Sequence, residues 1–288
     1  MRFLGNKTSL IHDIDAFITD SISKQTGLVF FDAFCGTGSV ANHFKQKFNV
    51  IINDHLKWAT TYSMGRIAAG ECLFEQLGFS PFEYLNSNTN IIRGFIHNTY
   101  SPAFTNRMYF TTENAGRIDY FRQTIEQWHL ENRINNSEYS FLLASLIESV
   151  SKVANIAGVY GAFLKEWDRR ALKPIQFIPA ESDYGSYRDL TVYNDKIENI
   201  ISEVDCDILY IDPPYSQNQY GTQYHLLETL ILNDHPSVSK VTGSRPVTPM
   251  RSDWSKVYQA HILLDYVLAG TKAKYVVMSY NNKGIMSK

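Results

Sequence analysis

A short apolar run, Leu28–Ala33 (LVFFDA), enters the turn Phe34-Cys35-Gly36-Thr37-Gly38, and Ser39 follows where a helix cap belongs. The run reads as a buried strand. Two glycines let the turn take backbone conformations closed to other residues, and Ser39 is the expected N-cap of the next helix. Strand, glycine turn and helix in that order belong to parallel α/β sheets. Further apolar runs extend the pattern: Val50–Asn53 closed by Asp54, Asp207–Ile211 closed by Asp212-Pro213-Pro214-Tyr215, and Tyr275–Ser279. A short strand is expected at Thr191–Tyr193, with a helix starting near Asp195. Residues 66–183 break this rhythm with long helical patterns, notably Ser140–Ala154, and few strands. The chain therefore reads as an α/β fold in two stretches, 1–65 and 184–288, carrying a mainly helical insert at 66–183. Residues 231–252, rich in Asn, Asp, Pro, Ser and Gly, are expected to form a mobile loop.

Composition narrows the classes. With 288 residues and 44% hydrophobic content, the chain can build one large core with a subdomain attached. The 18 Tyr and 17 Phe are accounted for first by packing. A formal net charge of -2 gives no global basic field, so any nucleic-acid contact must rest on local basic surface. The three cysteines form no CxxC pair, which disfavours zinc and a disulfide framework; no metal is expected, and the compartment is read as reducing. No stretch approaches the roughly 18 to 20 apolar residues of a membrane span, so a soluble, cytoplasmic protein is expected.

Two motifs carry chemistry. The glycine turn at a strand end suits a ligand approached closely by backbone, and Asp54, closing the next strand, suits two ribose hydroxyls. Ala41 stands where a dinucleotide fingerprint has its third glycine, a permitted variant, so the turn by itself indicates an adenosine-containing ligand of undecided type. Asp212-Pro213-Pro214-Tyr215 is more specific. Two prolines remove two N–H donors and stiffen the turn, which can aim a backbone carbonyl at a pocket. A carboxylate beside that carbonyl offers acceptors to a planar amine, and the tyrosine can stack on a flat base. The set suits an amine on a heteroaromatic ring.

Phe3-Leu4-Gly5-Asn6-Lys7, DAFCGTG and DPPY, in that order, resemble the Dam-like N6-adenine DNA methyltransferases. The surrounding wording resembles the adenine methyltransferases of type II restriction systems, through Arg107–Thr111, Asn155–Lys165, Tyr215–Glu228 and Tyr280–Gly284. The resemblance implies a Rossmann-like S-adenosylmethionine-dependent sheet, double-stranded DNA as substrate, a cognate restriction endonuclease as partner, and a target-recognition role for the insert. It implies that Lys7 approaches the methionine part of the cofactor, and that Asp32, Phe34, Gly36 and Gly38 form the methionine and adenosine cradle. Asp54 would hold the ribose, and Asp195 would meet the adenine amine or cap the following helix. Asp212 and Tyr215 would grip the target base, with Pro213 lending its carbonyl. The family continues past the Ser279-Tyr280-Asn281-Asn282 motif into further strands, whereas this sequence ends at Lys288, which points to a fragment or a part of a fusion. An RNA base methyltransferase with a DPPY-type motif and a catalytically idle DNA-binding subunit are the rival readings.

The remaining candidates are weaker. Arg107, Arg117, Arg122, Lys165, Arg169 and Arg170 lie among acidic residues in the insert and read as solvated charges with a suggestive mapping onto DNA. His225 reads as a packed or capping histidine, and Cys35 as small filler lacking a basic partner.

Overall fold

The computed structural model describes residues 3, 5–23 and 26–286; Leu4 of the N-terminal motif lies outside them. In chain order the elements are α1 (Ile11–Ser21), β1 (Val29–Asp32), α2 (Ser39–Phe44), β2 (Asn49–Asn53) and α3 (Lys57–Ala68). The insert contributes α4 (Pro81–Ser87), α5 (Phe95–Tyr100), α6 (Thr112–Leu130) and α7 (Asn136–Val153). Then come β3 (Leu190–Tyr193), α8 (Ile197–Ile200), β4 (Ile208–Ile211), α9 (Tyr220–Gln223), α10 (His225–Leu232), α11 (Val257–Gly270) and β5 (Tyr275–Met278). The α/β class expected from the sequence holds.

The strands form one sheet of order β3-β2-β1-β4-β5, parallel throughout. Period-two alternation sends neighbouring side chains to opposite faces. Phe30, Ile208 and Tyr210 pack on α1 and α2 through Ile18, Ile22, Val40 and Phe44. Phe31, Leu209 and Ile211 pack on the other side against Ile197, Ile200, Trp254 and Val267. Covering both faces is what lets a parallel sheet read as continuous apolar runs. Strand order reverses between β1 and β4, so the loops leaving these two strands diverge and open a crevice.

Between Asn53 and Leu190 the described chain is helical or irregular. Its apolar side chains join α3 and α10 in one large core reaching from Leu56 to Met250. Residue 66 itself falls inside α3, which packs along α7. Buried acids hold this assembly by the helix ends. Glu228 of α10 accepts from the Lys57 and Trp58 N–H groups that open α3, and Asp119 of α6 accepts from Ile96 and His97 at the start of α5. The first N–H groups of a helix have no partner within it, and a carboxylate there also meets the positive end of the dipole.

Four insert arginines do not behave as solvated charges. Arg107 donates to the carbonyls of Thr99, Ser239, Lys240 and Val241, and Arg122 to those of Leu230 and Ile231. Arg117 holds Leu85 and Asn90, and Arg170 holds Ala154 and Ile156. They reach carbonyls in the last turns of α4, α5 and α10, which lack a partner within the helix, and carbonyls in the irregular segments nearby. Lys165 and Arg169 are exposed. The turn-rich segment is helical up to Leu232 and irregular from there to Val247. Among the described residues, no helix is long and apolar enough to cross a membrane.

Candidate active site at the carboxyl ends of the strands

β1 ends on Asp32 and delivers the chain into the glycine turn. Cys35 N–H donates to the Asn53 carbonyl and Gly38 N–H to the Cys35 carbonyl. Gly36 and Gly38 both have positive φ, at 50° and 67°. A Cβ on Gly38 would come within 2.9 Å of the Ser63 backbone, so this glycine also lets α3 approach the turn. Gly38 is itself the N-cap of α2. Ser39 is the first helical residue instead of the cap, and its hydroxyl donates to Asn6 Oδ1 at 3.1 Å. The sequence placed the cap one residue late because serine is the commoner cap, whereas the left-handed backbone here admits glycine.

The loop after β2 is built around two polar side chains. Asp54 accepts from Gly36 N–H at 3.1 Å and from Leu56 N–H at 2.9 Å. Asn53 donates to the Ala33 carbonyl and accepts from Asp195 N–H, tying the ends of β1, β2 and β3 together. Asp195 lies one residue before the N-cap of α8, which is Lys196. Its Oδ1 accepts from Lys196 N–H and from the Asn199 side chain. It therefore braces the first turn from outside without occupying the cap position.

β4 ends at Ile211, and Asp212 follows beside the glycine turn. Lys7 Nζ lies 2.7 Å from Asp212 Oδ2, a pairing between distant parts of the sequence that no local pattern announced. Two adjoining cavities open here. The larger is bounded by Phe34, Gly36, Asp54, Asp195, Asp212, Pro213 and Tyr215, and the smaller by Lys7, Asp32, Phe34, Gly36 and Asp212. Every residue expected at the site lines one or the other except Gly38, whose place is set by Ser63. Sequence reasoning missed the aromatic wall. The Phe3 ring lies 5.4 Å from Trp58, 5.7 Å from Tyr220 and 5.0 Å from Tyr224, and Trp254 meets Phe34 edge-on at 5.0 Å. These rings arrive from separate segments, so only the aromatic-rich composition hinted at them.

The electrostatics are unusual. Burial, then the Asp212 and Asp54 charges, push the Asp32 carboxyl up to about 8. Its Oδ1 is buried without a hydrogen-bond partner, which is uncommon for a buried polar atom. Burial raises Asp54 to about 6 against the opposing Leu56 and Gly36 N–H groups. Burial likewise raises Asp212 to about 6, with Lys7 holding it back. Burial pushes His225 down to about 4, and it packs between the Tyr100 and Tyr109 rings. Burial pushes the Cys35 thiol well up, consistent with inert filler. Among the described residues no cluster of His, Cys, Asp and Glu could hold a metal ion.

A parallel sheet that gathers acids and aromatic rings at its switch point defines a Rossmann-like α/β protein with a candidate ligand site there. Within that class, the chain belongs to the D12 class N6 adenine-specific DNA methyltransferase family, whose profile matches residues 3–288. Among its relatives, type II methyltransferase M.FokI of Planomicrobium okeanokoites is 36% identical over 99% of this chain and 45% of its own length. Modification methylase LlaI of Lactococcus lactis subsp. lactis is 37% identical over 99% of this chain and 47% of its own length. Type II methyltransferase M.NlaIII of Neisseria lactamica is 34% identical over the whole chain and 85% of its own length. The chain thus spans about half the length of the first two.

Proposed function

We propose that this chain transfers a methyl group from S-adenosylmethionine to N6 of adenine in double-stranded DNA, as the modification enzyme of a restriction–modification system with a cognate endonuclease. The observation that carries this reading is the juxtaposition of Asp212-Pro213-Pro214-Tyr215 with the glycine turn, so that one carboxylate borders both cavities. The donor set fits the cofactor. Asp32 offers an unpartnered buried oxygen to an ammonium group, and Asp54 keeps lone pairs beyond its two backbone bonds for ribose hydroxyls. Asp195 faces the same cavity and serves the adenine amine, with Phe34 and Gly36 forming the cradle.

When bound, S-adenosylmethionine supplies a methyl group on a positively charged sulfur. An exocyclic adenine amine is a poor nucleophile because its lone pair is delocalised into the ring. Asp212 and the Pro213 carbonyl accept hydrogen bonds from that amine's two N–H groups and favour a tetrahedral nitrogen, whose lone pair is no longer delocalised into the ring. As the N6–methyl bond forms and the sulfur–methyl bond breaks, positive charge moves onto N6, where the Asp212 carboxylate stabilises it until N6 releases a proton to solvent. Tyr215 stacks on a base that has left the duplex, offsetting part of the few kcal/mol that flipping costs.

Incubation with plasmid DNA and S-adenosylmethionine, followed by sequencing that reads N6-methyladenine, is expected to show methylation at one short sequence. Asp212→Ala is expected to lower the rate roughly a hundredfold or more, the scale of losing one electrostatic stabiliser. Unmethylated DNA from the unaltered chain, or full turnover by the variant, overturns the reading. The insert, residues 66–183, serves target recognition, because specific DNA reading needs more than about 1,000 Å² of protein surface. A folded chimera carrying a relative's insert should methylate the relative's sequence. Retention of the original sequence would make the insert a structural support only.

A further inference from the structure

Lys7 Nζ touches Asp212 Oδ2 at 2.7 Å, and neither side chain is more than 15% exposed. The same ammonium lies 3.3 Å from the Gly5 carbonyl and 5.9 Å from the centre of the Tyr215 ring. It therefore stands beside the groups that the proposed reaction needs for the target base. The arrangement conflicts with catalysis in two ways. An oxygen already accepting from an ammonium is poorly placed to accept from an incoming amine. A cation at that point also opposes the positive charge that develops on N6, and in a site withdrawn from water the opposition is weakly screened. Yet Asp212 needs a cation while the pocket is empty, because a buried carboxylate with no partner is driven to take up a proton.

We propose that Lys7 is a placeholder: it neutralises Asp212 in the empty site and swings to the carboxylate of the methyl donor's methionine part, so that the donor must bind before the adenine amine. This rests on the methyltransferase reading above. Lys7, Asp32 and Asp212 border one small cavity, so the exchange needs only rotation of a flexible lysine stem, with no movement of the sheet. Once Lys7 has left, Asp212 would keep its charge for the amine, with the positively charged sulfur of a bound donor in the same cavity in place of the ammonium. Lys7 is in this sense a positioning residue for Asp212 and a binding residue for the donor, at different stages.

The two roles compete, which gives a test of unusual sign. S-Adenosylhomocysteine keeps the methionine carboxylate but has a neutral sulfur, so Asp212 offers it no charge attraction. Asp212→Asn releases Lys7 and is expected to tighten S-adenosylhomocysteine about 5- to 10-fold by calorimetry, the scale of a modest ion pair no longer broken on binding. Lys7→Met should weaken the same ligand about tenfold, and in that background Asp212→Asn should have no further effect. Lys7→Arg, which keeps the charge, should preserve the tightening. Unchanged or weaker binding by the Asp212→Asn chain overturns the placeholder role. No binding by the unaltered chain overturns the methyltransferase reading and this inference with it.

Discussion

Asp32 and Asp54 stand at the ends of neighbouring strands, the first buried and the second half-buried, yet the fold treats them differently. Asp54 is built into its loop. Two backbone N–H groups, from Gly36 and Leu56, point at its two oxygens and hold the carboxyl to about 6 against burial. Burial and two nearby carboxylates lift Asp32 to about 8 although the Ala41 and Phe34 N–H groups oppose the rise, and one of its oxygens is left unpartnered. One acid is therefore part of the loop's framework, whereas the other is held at a cost that the proposed ammonium group of the cofactor would relieve. A buried charge without partners destabilises the chain that carries it, so such a cost marks residues kept for binding more clearly than proximity to a cavity does.

The largest effect separating the two belongs to Asp54. Asp54→Ala should weaken S-adenosylmethionine by roughly 1.5 to 3 kcal/mol, the range for hydrogen bonds to a charged group. It should also destabilise the chain by about 1 to 3 kcal/mol, because Gly36 and Leu56 lose their acceptor. Calorimetry and denaturant unfolding measure the two quantities separately. Lower affinity with unchanged stability would mean that Asp54 is no part of the loop's framework, and the contrast with Asp32 would fail.

The same contrast explains how much of the site was legible in the sequence. Asp32, Asp54 and Asp212 each stand at the end of an apolar run, and the position of a strand end is a local property. So are the glycine turn and the prolines after β4. The pairing of Lys7 with Asp212 and the capping of α3 by Glu228 join residues far apart in sequence, and nothing local predicts them. The insert arginines were misread for a related reason. Charged residues in helical segments usually face water, but Arg107 and Arg122 are buried because carbonyls at the ends of α5 and α10 and in the segment after α10 must be satisfied. Ser39 was misplaced by a single residue, where backbone conformation overrode capping preference. Residue types at strand ends thus located the candidate site, while the interactions that fix their charge states came from tertiary contacts.

The smaller effect belongs to Asp32, and its sign is the sharper check. An ordinary aspartate ionises near 3.8, whereas Asp32 in the fold does so only near 8. Between those values the folded chain holds a proton that the unfolded chain has released. Stability from this group is therefore fully present below about pH 4 and lost progressively as pH rises through 8. Asp32→Asn keeps the size of the side chain and removes the charge. It should leave the chain little changed at pH 4 and about 2 kcal/mol more stable at pH 8, a figure set by the cost of a poorly compensated buried carboxylate. The same substitution should weaken S-adenosylmethionine, because an amide cannot neutralise the ammonium group that Asp32 is proposed to hold. Melting temperatures of both chains across pH 4 to 8, with and without the cofactor, decide the matter. If Asp32→Asn lowers stability at pH 8, Asp32 is as much a part of the framework as Asp54. A gain in stability with undiminished cofactor binding would mean that the unpartnered oxygen awaits a different ligand.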